Sequence, residues 1–195
     1  MTFKWLYKNW AKLCLVLSVI TTLIIFSVVG TSNIVLFFIF IQIPIYLLHQ
    51  FEEHAWPGGF KNYVNQRIFK ADGVNYPLTD VSVFWVNIPV IWILMPIFAS
   101  LSYLNLFFGL WIPYFAVINS LTHVAAAVIK RDYNPGLIVS IVLGIPIGIY
   151  ALGLFYDLIS VPLLVTLLSV LAAVLMHWAL IIFIRRRYND FKQGN

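Results

Sequence analysis

Residues 34–59 read IVLFFIFIQIPIYLLHQFEEHAWPGG. The stretch opens as an apolar run long enough to cross a bilayer, for which about 20 helical residues suffice. It closes on His49, Glu52, Glu53 and His54, ahead of the turn signal Trp56-Pro-Gly-Gly59. A helix C-terminus carries partial negative charge, so each carboxylate there is unfavourable by roughly 0.3 to 1 kcal/mol, and burial near lipid adds to that cost. Either the glutamates are protonated or a cation neutralises them. Lys61, Arg67 or Lys130 is near enough in the chain to supply such a charge, and a divalent metal would supply it more completely.

The rest of the chain resembles the start of that stretch. Of 195 residues 62% are hydrophobic and 10% charged, far more apolar than a soluble domain. Apolar runs fall at 11–30, 33–53, 81–103, 105–128, 136–156 and 158–184, which predicts an all-α polytopic membrane protein, a single domain of about six transmembrane helices. The first run follows Lys4, Lys8 and Lys12 but lacks a small-residue cleavage pattern, so it reads as a retained span. The third and fourth runs part only near Asn105 and the fifth and sixth only near Asp157, which predicts tight hairpins. Prolines 44, 89, 96, 113, 146 and 162 lie within runs or near their ends and predict kinks rather than breaks.

All 12 Lys and Arg residues lie before the first run, between the second and third, between the fourth and fifth, or after the sixth. This alternation predicts both termini on the cytoplasmic side. The net charge of +5 sits in short clusters beside apolar runs, with no nucleic-acid motif, so its expected partners are membrane lipid headgroups. Cys14 is the single cysteine, which leaves no Cys-based metal site. After Gly59, Phe60, Tyr63, Val64 and Ile68 recur at helical spacing, predicting a short interfacial helix able to roof a site beneath it.

At about 100° per residue, His49, Glu52 and Glu53 share one narrow face, while His54 is rotated away from His49. Asn119 and His123 share a face of the fourth run, with His123 roughly 10 Å from the basic boundary at about 1.5 Å per residue. His177 in the sixth run and Asn87 in the third reach a similar depth. Four helices therefore place His, Glu or Asn in one cytoplasmic layer. Imidazole and carboxylate together suit Zn foremost, with Fe or Mn as alternatives. The expected assignment has His49, Glu52 and His123 on the metal, and Glu53, with Glu52, as the catalytic carboxylates, Glu53 being the general base. Asn119, His177, Asn87, His54, Tyr133 and Asn134 are expected in supporting or substrate-binding positions.

The string His49-Gln-Phe-Glu52-Glu53, followed by His123 and Tyr133-Asn134-Pro135-Gly136, resembles the motifs of the HXXEE-domain family. The resemblance spans about residues 35–156 and implies a small multi-helix membrane protein of bacteria, in the cytoplasmic membrane. It marks these residues as motif positions and implies no reaction.

Two function classes remain open from the residues alone. One is a metal-dependent enzyme, most simply a hydrolase of a lipid or other membrane-soluble substrate. The other is a proton- or cation-coupled transporter or a small-molecule binding protein without chemistry. Hydrogen bonding between helices also accounts for any one of the histidines taken singly. Tyr-Asn-Pro-Gly has a local explanation as well, a turn with Pro135 at the first position of the fifth helix.

Overall fold

The computed structural model describes residues 3–30, 32–71 and 76–193. Among them it contains helices and no strands. Six helices are long and apolar enough to cross a membrane: Phe3–Val29, Ile34–His54, Asp80–Leu101, Leu106–Lys130, Leu137–Leu158 and Leu163–Asp190, numbered first to sixth span below. The protein is an integral membrane protein of six candidate spans, as the hydropathy pattern predicts.

The limits differ from those of the apolar runs where charged or proline-bearing sequence is compatible with helix. The first span begins at Phe3, so Lys4, Lys8 and Lys12 ride on helix that precedes the apolar run. All three side chains are exposed, as charged groups near a span end require. The turn between the fifth and sixth spans falls between Leu158 and Leu163, close to Asp157 as expected, with Pro162 just before the new helix. Local capping fixes other starts. Asn33 accepts from the Leu36 amide, and Thr79 and Ser82 exchange hydrogen bonds across the first turn of the third span.

Prolines 44, 89, 96, 113 and 146 lie within spans without ending them. A ring at position i clashes with the carbonyl one turn back and removes a hydrogen bond. The helix opens into wide turns at Ile88–Leu94, before Pro96, and at Ser140–Gly144, before Pro146.

The second span is the axis of the bundle. Some 67% of its most apolar window is buried, against 22% to 33% in the other five spans. It packs on the first span and touches the third, fourth and fifth, while the sixth packs on the fourth. Exposed Val, Leu, Ile and Phe cover the outer faces, as a lipid-facing surface requires. After the second span, a short helix over residues 60–68 starts beyond Gly58 and Gly59, whose φ values of +69° and +93° make the reversal. Its Asn65 binds both the amide and the carbonyl of Leu78, at 2.9 and 3.0 Å, and Lys61 pairs with Asp80 at 2.7 Å. Those bonds fold the connection back over the end of the second span. Residues 72–75 of that connection lie outside the described residues.

Candidate metal centre

The last two turns of the second span carry the site. Carbonyls left open at this helix end are met locally, the Trp56 amide donating to Phe51 and the Gly58 amide to Glu52. The side chains are thereby free to face inward, and His49, Glu52, Glu53 and His123 are each buried.

The two glutamates separate. Glu52 Oε1 accepts from the Tyr133 hydroxyl at 2.8 Å and the Ile138 amide at 3.0 Å, and Oε2 accepts from the Val139 amide at 2.7 Å. The carboxylate of one span thus caps the N-terminus of another, where unpaired N–H groups and the helix dipole favour an anion. This corrects the expectation that Glu52 joins His49 and His123 on a metal, since its oxygens are committed to the fifth span. Among the described residues no lysine or arginine forms an ion pair with it: Lys61 pairs with Asp80, and Arg67 pairs with Asp132 at 3.2 Å. Burial, with the Glu52 carboxylate beside it, pushes the Tyr133 phenol above its ordinary range.

Glu53 instead faces histidines. Its Oε1 lies 3.6 Å from His49 Nε2 and 3.3 Å from His123 Nε2, and its Oε2 lies 3.4 Å from His54 Nε2. These separations exceed the roughly 2.7 to 2.9 Å of a tight charged hydrogen bond. The two separations at Oε1 are close to the roughly 3.3 Å between ligands held at about 2.0 to 2.1 Å in tetrahedral array. One ligand atom from each of His49, Glu53 and His123 lies within 4.8 Å of the other two. The three residues can hold a metal ion, with Glu53 in the position the sequence reading gave to Glu52.

The histidines are oriented from behind. Asn134 Nδ2 donates to the His123 carbonyl at 2.9 Å, which turns its Oδ1 to His123 Nδ1 at 2.7 Å. His123 Nδ1 must therefore donate, and its Nε2 meets Glu53 with either a second proton or a lone pair open to a cation. Asn119 sits 3.0 Å from His49 Nε2 and 3.3 Å from His177 Nε2. His177 Nδ1 donates to the Ala173 carbonyl at 2.7 Å within the sixth span, so the contact of its Nε2 with Asn119 ties the site to that span. An ion taking the His49 Nε2 lone pair would displace the Asn119 amide from it and leave Asn119 to His177.

The turn between the fourth and fifth spans supplies three of the site's supports. Tyr133 reaches Glu52, Asn134 holds His123, and Gly136, at φ +97°, lies against the cluster itself. A Cβ on Gly136 would stand 2.7 Å from His49, 2.8 Å from His123 and 2.9 Å from Glu53, so only glycine allows this approach. The fifth helix starts at Leu137, with Gly136 before it, rather than at Pro135 as turn chemistry alone predicts. Beyond starting a helix, this turn builds the site.

His54 comes closer than its rotation from His49 suggests, because Glu53, its neighbour in the chain, turns one oxygen toward it. Its ring stands between Trp10 and Phe60, at centroid distances of 5.3 and 5.5 Å. Asn87 reaches the site through His54, at 3.4 Å, and accepts from Gln50 at 3.2 Å. Gln50, which also accepts from Trp92 Nε1 at 2.9 Å, was missed by the sequence reading. Its signal was a lone amide between His49 and Phe51 on a span with no solvated face.

No curated protein and no solved structure matches the chain. The family model described as a protein of unknown function with HXXEE motif matches residues 40–151, which include His49, Glu52, Glu53, His123 and the turn at 133–136. With more than half of its length covered, the chain belongs to the HXXEE family.

Proposed function

We propose that the protein is a membrane-embedded, metal-dependent enzyme, a hydrolase of a lipid or other membrane-soluble substrate. The observation that carries this reading is the buried His49, Glu53 and His123 group, whose ligand atoms converge to within 4.8 Å. Two imidazoles and one carboxylate are a donor set suited to Zn, with Fe and Mn as alternatives, and they leave a coordination position for water or substrate. A divalent ion held there would act as a Lewis acid and activate water.

The protein's own groups supply the rest. Asn134 fixes the ring of His123 from its far nitrogen, whereas Asn119 holds His49 Nε2 only until an ion takes that lone pair. His54, whose Nε2 lies 3.4 Å from the second oxygen of Glu53, is placed to accept and return a proton. On this reading Glu53 is a ligand rather than the general base. The alternating placement of Lys and Arg supports a site on the cytoplasmic side of the membrane, among lipid headgroups.

The test is elemental analysis of the purified protein in detergent beside Glu53→Gln and His49→Ala. About one equivalent of a divalent metal in the parent, lost in both variants without loss of folding, is the expected outcome. A parent that holds no stoichiometric metal after exposure to Zn, Fe and Mn, and whose unfolding temperature ignores chelator, overturns it. Proton- or cation-coupled uptake by vesicles containing the protein would favour transport instead.

A further inference from the structure

A cleft of about 180 Å³ reaches Glu53 and His54 from the outside of the bundle, between the first span and the short helix at 60–68. Its inner end is the edge of the candidate metal centre. Trp10 and Phe60 also line it, on the two sides of the His54 ring, and Lys8, Lys61 and Asp80 line it further out. Lys61 and Asp80 balance one another through their ion pair. Lys8 is exposed, and among the described residues no carboxylate pairs with it. The cleft therefore has aromatic walls beside His54, the Glu53 carboxylate at its inner end, and an unpaired lysine where it opens. Such walls accept a flat or aliphatic group, and the charge selects an anion.

We propose that this cleft is the substrate channel of the site, and that it takes a molecule with an oxyanion, a phosphate or carboxylate, held by Lys8 while its inner portion lies against His54 and Glu53. The inference rests on the reading of His49, Glu53 and His123 as a metal centre and names the substrate class for it. Phe60, whose ring is 5.5 Å from that of His54 and 6.1 Å from that of His123, forms the channel's roof. The oxyanion could belong to a lipid headgroup or to a free solute, since the channel opens at the end of the spans where both are present.

Calorimetric titration of the full-length protein in neutral detergent, loaded with Co²⁺, tests this with two probes, inorganic phosphate and short-chain phosphatidic acid. A short-chain diacylglycerol serves as the uncharged control. The channel predicts saturable binding of at least one anion and none of the control, and at least a tenfold loss of affinity in Lys8→Glu with Co²⁺ content unchanged. Binding of phosphatidic acid alone identifies a lipid headgroup, and binding of both shows that the oxyanion suffices. No saturable binding of either anion, or equal affinity in Lys8→Glu, overturns the proposal. The visible absorption of Co²⁺ reports the metal centre separately. A protein that binds the anion but no Co²⁺ loses the metal reading and keeps the channel, whereas one that binds Co²⁺ but no anion loses the channel alone.

Discussion

Glu52 and Glu53 are neighbours in the chain, yet they look into opposite kinds of surroundings. Around Glu52 stand two backbone amides and a phenol, donors whose protons are fixed and which engage both carboxylate oxygens. Around Glu53 stand three imidazole nitrogens that can hold a proton or offer a lone pair. The first setting joins two spans, and the second can exchange its cation. The difference teaches that burial of a carboxylate in a membrane helix does not by itself mark chemistry. What its neighbours can give up decides the role.

The largest expected effect follows from the fixed side of this comparison. Glu52→Ala leaves two amides at a buried helix start without their anion, and unsatisfied buried donors cost roughly 1 to 3 kcal/mol each. An overall loss of about 3 kcal/mol would lower the thermal midpoint in detergent by about 6 to 12 °C in a chain of this size. Glu53→Gln, measured beside it, should lose bound metal and unfold close to the parent stripped of metal. Equal destabilisation by the two changes would break the distinction between the glutamates.

Gly136→Ala attacks the exchangeable side. The added methyl group meets both histidines and Glu53, and the positive φ strains any residue with a Cβ. We expect about 2 kcal/mol of destabilisation, with a fall in metal content that Glu52→Ala does not produce in whatever fraction remains folded. Retention of full metal content in Gly136→Ala would show that the turn does not bound the ion site.

The sequence made the spans legible because lipid imposes a simple rule: about 20 apolar residues and no unpaired backbone. It made His49, Glu53 and His123 legible because helical periodicity and depth place them in one layer. It could not separate Glu52 from Glu53, which are both compatible with one face of the second span. That choice is made by a distant partner, the amides of Ile138 and Val139, whose availability depends on where the fifth helix starts. The chain order Asn-Pro-Gly suggests a start at Pro135, and the structure starts it at Leu137 because Gly136 must pass the cluster. Charge pairing was illegible for the same reason. Lys61 and Arg67 are near the glutamates in sequence, but Asp80 and Asp132 reach them in space.

Asn134→Ala removes the acceptor that orients His123, without touching either glutamate. Groups that hold the far nitrogen of a metal-bound histidine are typically worth 10- to 100-fold in metal affinity. We expect a loss of that order in competition with a chelator, with a smaller change in stability than Gly136→Ala produces. A loss below twofold would mean that the His123 ring is held by packing alone.

Tyr133→Phe should have the smallest effect, and its pH dependence sharpens the reading of Glu52. The hydroxyl contributes one of three bonds to that carboxylate, and the two amides remain in the variant, so about 1 kcal/mol is expected at neutral pH. The phenol of the unfolded chain ionises near pH 10, about its ordinary value, whereas in the fold burial and the adjacent carboxylate keep it protonated above that. A raised folded value means that the contribution is fully present below about pH 10 and is lost as pH rises through the folded value. Stability of the parent should therefore fall toward that of Tyr133→Phe above pH 10, and metal content should stay the same in both at neutral pH. A parent and variant that keep a constant gap throughout that range would show that Tyr133 contributes ring packing, and that the two amides alone hold Glu52.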